Sequence, residues 1–144
     1  LIGWKSAPGG GTTEYAVHLF HEAIKHGRYT SFLGPKTTLP MMYMPDAIRA
    51  TIDLMEAPAG QVKERTSYNL AGFSFNPEQI AAEVKRHIPG FAIDYAPDHR
   101  QAIADSWPHS IDDSAARADW GWKPQYDLKG MVDEMMLNLK VTLG

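Results

Sequence analysis

The chain has 144 residues, the size of one ordinary domain with one hydrophobic core. Its 44% hydrophobic and 22% charged residues are a globular composition, which argues against the disordered and fibrous classes. A net charge of −3 without a run of like charges argues against a nucleic-acid surface, no apolar run approaches the roughly 18 residues of a membrane span, and the absence of cysteine excludes disulfides, thiolate metal sites and cysteine nucleophiles.

The segment Leu1-Ile2-Gly3-Trp4 has neither the charged start nor the long apolar stretch of a signal peptide, and the chain reads as cut from something longer. Gly3 and the run Pro8-Gly9-Gly10-Gly11 predict a loop. Thr12 and Thr13 are natural N-caps for a helix over about 13–26, whose apolar positions Ala16, Val17, Phe20, Ala23 and Ile24 recur at helical spacing until Gly27. Tyr29 to Leu33 predicts a short strand. Leu39 to Met44 is a second extended piece, placed at an edge by Pro40. Asp46 opens the next helical pattern, which Pro58 and Gly60 close. Ser67 to Ala71 reads as a strand. Asn76-Pro77-Glu78 is a strong helix start, and that helix ends at Pro89-Gly90. Phe91 to Tyr95 alternates like a half-buried strand, and residues 96–110 are irregular. Asp112 or Asp113 caps a short helix to Trp120, and Asp127 caps a last helix carrying Leu128, Met131, Met135, Met136 and Leu139. The order is that of an α/β or α+β chain without a full doubly wound sheet.

Two segments are candidates for chemistry. Pro8 to Thr13 offers backbone N–H groups and two hydroxyls at a helix start, either an anion or carboxylate site or a flexible loop with a cap. It lacks the Lys-Ser/Thr of a Walker loop and the spacing of a dinucleotide fingerprint. Arg100 to Pro108, with Arg100, Asp105 and Trp107, is either a pocket wall or a strand with Trp107 anchored in the core. His18 and His21 with Glu22 read as a solvated helix face, since H-E-x-x-H is absent. The Met41-Met42-Tyr43-Met44 run reads as packing, and Trp120 and Trp122 as core anchors. No Tyr-x-x-x-Lys pair and no nucleophile elbow occurs.

PGGGTTEYAV (8–17), LPMMYMPDAIRATIDLMEAP (39–58), SYNLAGFSF (67–75), RQAIADSWPHSIDDSAARADWGW (100–122) and YDL (126–128) together carry a resemblance. The chain resembles the C-terminal part of the L-threonine 3-dehydrogenases, extended short-chain dehydrogenases related to the sugar-nucleotide epimerases. The resemblance implies an α/β fold: a substrate-binding lobe over 1–144 plus the last elements of an NAD-binding Rossmann fold. It implies NAD as cofactor, L-threonine as substrate and 2-amino-3-oxobutanoate as product. It gives this chain no catalytic residue, because the family's Tyr base, its Lys and the glycine-rich NAD loop fall in an N-terminal half that the sequence does not contain. By position, Leu1 and Ile2 match the segment near the nicotinamide. Gly11, Thr12 and Thr13 match the loop that holds the amino acid, and Trp107 matches a substrate-pocket residue. Arg100 stands where epimerases bind a diphosphate, and a structural or lid role is expected here. Asp46 matches an architectural capping residue. A homodimer in the cytoplasm or a mitochondrion, with neither nucleic acid nor membrane as partner and no metal, completes the expectation. The alternatives are a sugar-nucleotide epimerase or dehydratase, disfavoured by Leu39-Pro40 where those enzymes carry Arg-Asp, and a non-catalytic ligand-binding module. Without the other half, Val17, Phe20, Met42, Met44 and Ile48 are expected to lack cover.

Overall fold

A computed structural model describes residues 1–143. A 3-10 turn (Thr12–Glu14) leads into α1 (Tyr15–His26). There follow β1 (Arg28–Ser31), β2 (Leu39–Met41), α2 (Met44–Glu56), β3 (Phe73–Phe75), α3 (Pro77–His87), β4 (Ala92–Tyr95), α4 (His99–Asp105), α5 (Ser114–Trp120) and α6 (Leu128–Leu143). β1 pairs in parallel with β4, from Arg28 opposite Ala92 to Ser31 opposite Tyr95. β2 pairs antiparallel with β3, Leu39 opposite Phe75. The chain is thus a mixed α/β fold with two small sheets rather than one doubly wound sheet.

The main core lies between α1, α3 and α6. Tyr15, Ala16, Leu19, Phe20 and Ala23 fall on one face of α1 and are all buried. Ile80, Ala81 and Val84 of α3 and Met131, Val132, Met135, Met136 and Leu139 of α6 complete it. The sequence signals for α3 act as expected: the Asn76 side chain accepts from the Gln79 N–H at 2.9 Å, and the Gln79 side chain accepts from the Asn76 N–H at 3.0 Å. The Asp127 carboxylate caps α6 by accepting from the Gly130 N–H at 2.8 Å.

α2 is held differently. Its buried residues are Asp46 and Ala50 alone. The Asp46 carboxylate accepts from the backbone N–H of Gln125 and of Tyr126 at 3.0 Å, and from Arg49 Nη2 at 2.9 Å. It therefore caps the turn before α6 rather than its own helix. Arg49 also donates to the Lys123 carbonyl at 2.6 Å and lies over the Trp122 ring. Trp122, Met42, Ala50 and Ala116 form a second, smaller core.

Several sequence expectations need correction. The turn before α1 has Gly11, not a threonine, at its N-cap position, with no side-chain cap bond; Thr12 is inside the turn and buried. Ser67 to Ala71 is extended but is no strand. Its backbone partners are side chains: Ala71 donates to Asp113 at 3.3 Å and accepts from Trp122 Nε1 at 3.0 Å. The ladder falls instead on β3, where Gly72 fits because a Cβ there would stand 2.5 Å from the Met41 carbonyl oxygen. The segment 96–110 contains α4, capped by Asp98. Val17, Phe20 and Met42 are buried within the chain, whereas Met44 and Ile48 are exposed, as are Ile52 and Met55 further along α2.

Asp46→Ala leaves two backbone N–H groups and a guanidinium without their buried acceptor. It is expected to lower stability by about 3 kcal/mol in urea unfolding, whereas Asp53→Ala, which removes a half-exposed partner of Arg49, is expected to change it by less than about 1 kcal/mol.

Candidate functional site

The site begins with one backbone pairing. Ile2 donates its N–H to the Met42 carbonyl at 2.9 Å, and its carbonyl accepts from Met44 at 2.8 Å. This bridge pins the N-terminal segment beside the start of α2. Residues 3–11 then cross to the start of α1. Between them opens a cleft of about 570 Å³. Leu1, Trp4 and Gly9 border it from the segment, Glu14 and Val17 from the turn and α1, and Tyr43, Met44 and Ile48 from α2.

The cleft is mostly apolar and carries one basic and one acidic side chain, Lys5 and Glu14. The Lys5 ammonium lies over the Trp4 ring at 5.3 Å. One Glu14 carboxylate oxygen accepts from the Gly9 N–H at 3.2 Å and so folds the glycine loop back over the turn. Tyr43 is fully buried, its ring edge-on to Tyr126 and its hydroxyl without a hydrogen-bond partner among the described residues. Burial, then nearby Glu134, raises its pKa above the usual phenol range, so it stays neutral.

The residues singled out from the sequence are distributed as follows. Leu1 is 62% exposed and borders the cleft; Ile2 is buried behind it, with its backbone groups taken by the bridge. Gly11 lies next to Glu14, where a Cβ would come 3.6 Å from the Glu14 Cγ. Thr12 and Thr13 form the turn one step from the cleft. Trp107 is 40% exposed after α4, its N–H bonded to Ala104, and outside the cleft lining. Met44 lines the cleft, although the methionine run as a whole reads as packing. His18 reaches Glu22 at 3.7 Å on a half-exposed face, but the His21 Nε2 is buried without a partner, and burial lowers that residue's pKa. Among the described residues no group of three or more His, Asp or Glu is placed to hold a metal. Sequence reasoning missed Trp4, Lys5, Glu14 and Tyr43. The one signal for them is a charge on each side of an uncharged glycine-threonine run, and only the fold brings those charges to one cleft.

No family model matches the chain. A mitochondrial L-threonine 3-dehydrogenase of Bos taurus is 53% identical over 137 residues, 94% of this chain and 36% of its own length. An uncharacterized epimerase/dehydratase of Staphylococcus haemolyticus is 54% identical over the same share of this chain and 43% of its own. A holo structure of the L-threonine dehydrogenase from Cupriavidus necator superposes with a TM-score of 0.92 at 64% identity, covering 96% of this chain and 45% of that one. The chain therefore spans less than half the length of these relatives. The proteins it is similar to are of the epimerase/dehydratase-like short-chain dehydrogenase kind. The high-identity relatives that carry a functional name are L-threonine 3-dehydrogenases, and the chain is similar to a portion of them. Bacterial and mitochondrial proteins are both among the relatives, and among the described residues no helix is long and apolar enough to cross a membrane.

The glycine loop separates two kinds of strain. Gly10 has φ +92 with open space around it, while Gly9 has open space and no positive φ. Gly10→Ala is expected to cost about 1 kcal/mol in thermal unfolding, and Gly9→Ala to leave the midpoint unchanged within error.

Proposed function

We propose that the chain is the substrate-binding half of an NAD-dependent L-threonine 3-dehydrogenase, with residues 1–144 acting as one unit. The observation that carries the reading is the cleft itself: one acid, one base and apolar walls suit a small zwitterion with a methyl group. Glu14 faces the ammonium and Lys5 the carboxylate. Gly11, Thr12 and Thr13 complete the turn against which the amino acid rests; Trp107, outside the cleft lining, is assigned to the substrate pocket by the resemblance alone. Val17 and Ile48 offer apolar contact to the threonine methyl. The family resemblance motivates the assignment of Gly11, Thr12, Thr13 and Trp107, and the place of the first three in the turn beside Glu14 supports theirs.

The chain fits a dinucleotide only along one edge. The Ile2 N–H and carbonyl are already bonded to Met42 and Met44, and the glycine run 9–11 before α1 has neither the Walker nor the dinucleotide spacing. Leu1 and Ile2 would thus border the nicotinamide end, while the remaining contacts belong to the other half. NAD⁺, when bound, would supply the hydride acceptor for C3 of threonine, and the base that would take the C3 hydroxyl proton lies in that other half. The part of this chain is to fix C3 in position and to exclude water. The epimerase alternative is weaker, because the Arg100 guanidinium is already paired with Asp98 and bonded to the Gly10 carbonyl, which leaves no free edge for a diphosphate.

The surface for that other half is the outer stripe of α2. Ile48 is 54%, Ile52 47% and Met55 79% exposed at helical spacing, next to exposed Leu1. The relatives carry more than half of their length beyond the matched region, and its apolar faces are the partner that fits this stripe. A homodimer of the completed enzyme is part of the proposal, as is its presence in the cytoplasm or a mitochondrion.

Co-expression with the N-terminal half of the Cupriavidus necator enzyme is expected to give threonine-dependent NADH formation that neither half gives alone. Ile52→Asp is expected to abolish co-purification of the halves while leaving the circular dichroism of this chain unchanged. NADH formation by the pure 144-residue chain would overturn the assignment. In the paired enzyme, Glu14→Gln removes a charge-assisted contact of about 1.5–3 kcal/mol. Initial-rate kinetics are expected to show the KM for L-threonine raised roughly 10- to 100-fold with a much smaller change in kcat.

A further inference from the structure

One side chain, Arg100, ties the glycine loop to α4. The Asp98 carboxylate accepts from the Arg100 backbone N–H at 2.8 Å, from its Nε at 3.0 Å and from its Nη2 at 2.5 Å. The same contacts hold the Asp98 carboxyl at a pKa of about 2, so the pair stays ionised through the neutral and mildly acidic range. The guanidinium carbon lies over the Phe32 ring, 3.3 Å from its centroid. With its orientation fixed on three sides, it directs Nη1 to the Gly10 carbonyl at 3.3 Å.

What lies around this contact makes it more than surface decoration. Behind the loop is a cavity of about 160 Å³ bordered by Pro8, Gly10, Glu14, His18, Phe32 and Arg100. The loop is therefore not supported by packing there. Beyond the turn bond from Glu14 N–H to the Gly11 carbonyl at 2.9 Å, it is held by Gly9 N–H on Glu14 and by Gly10 carbonyl on Arg100. α4 is a firm base for the last of these. Gln101 accepts from the Gly34 N–H at 2.7 Å and donates to Thr37 at 3.0 Å and to Asp105 at 2.6 Å.

We propose that Arg100 is a positioning residue for the cleft: its hold on the Gly10 carbonyl sets the path of residues 8–11 and, through Gly9, the direction of the Glu14 carboxylate. Losing it frees a loop that spans a void, and the loss falls on capture of the amino acid rather than on the chemical step. The kinetic part rests on the reading of the cleft as the amino-acid site; the structural part does not.

Hydrogen exchange on the 144-residue chain tests the structural part. Arg100→Met is expected to speed exchange of the amides of residues 9–13 at least tenfold and to leave those of α6 unchanged, with Arg100→Lys in between. Asp98→Asn, which frees the guanidinium without removing it, is expected to act in the same direction and serves if Arg100→Met unfolds the chain. Unchanged exchange at 9–13 would overturn the proposal. In the paired enzyme, Arg100→Met is expected to raise the KM for L-threonine roughly tenfold with kcat within about twofold, and Arg100→Lys to recover part of it. Faster exchange with an unchanged KM would overturn the link to the substrate. A paired wild-type enzyme without activity would instead refute the dehydrogenase reading, while the exchange data still decide whether Arg100 holds the loop.

Discussion

The buried carboxylate of Asp46 decides where one wall of the cleft stands. α2 contributes only Ala50 besides Asp46 to the interior, too little apolar area to fix a thirteen-residue helix by packing. Its position is set instead by hydrogen bonds that the Asp46 carboxylate accepts from the N–H groups of Gln125 and Tyr126 and that Arg49 donates to the Lys123 carbonyl. That turn leads directly into α6, which is packed into the core with α1 and α3. The opposite side of the cleft rises from the turn before α1. The spacing of the two walls therefore follows from a rigid helical core on one side and a charged tie on the other.

This way of holding α2 explains its outer face. A helix tied by polar bonds at its N-terminal end can leave an apolar stripe free, and Ile48, Ile52 and Met55 form one. In a chain that spans less than half of its relatives' length, such a stripe is a reason to expect a second folded unit against it. The cleft tells the same story from the inside. It has charges of both signs and apolar walls, and Tyr43 is held neutral by burial. On the reading proposed above, this part carries the binding of the amino acid.

Where local chemistry decides an element, the sequence was a sufficient guide. Asn76-Pro77 with Gln79 specifies the start of α3, and Asp127 that of α6, because cap and capped backbone are three residues apart. Where the partner is distant in the chain, it was not. Ser67 to Ala71 has the pattern of a strand, yet its backbone is satisfied by Asp113 and Trp122, more than 40 residues away. α4 has too few residues to show a period, and Asp98 looks like one polar residue among several until its bonds to Arg100 are seen. The glycine-threonine loop was legible as a possible anion site from composition alone. Its neighbours Trp4, Lys5 and Tyr43 were not, because the Ile2 bridge that assembles them pairs residues some forty positions apart.

The most direct test of the division of labour is a nitrogen–proton correlation spectrum of this chain, isotope-labelled and paired with the unlabelled N-terminal half of the Cupriavidus necator enzyme in the presence of NAD, as L-threonine is added. The expected result is a saturable shift of the amides of residues 9–14 and of the Trp4 indole, with α5 and the C-terminal half of α6 unmoved. Threonine-dependent shifts confined to surfaces away from the cleft, or none at all in a pair that forms NADH, would contradict it.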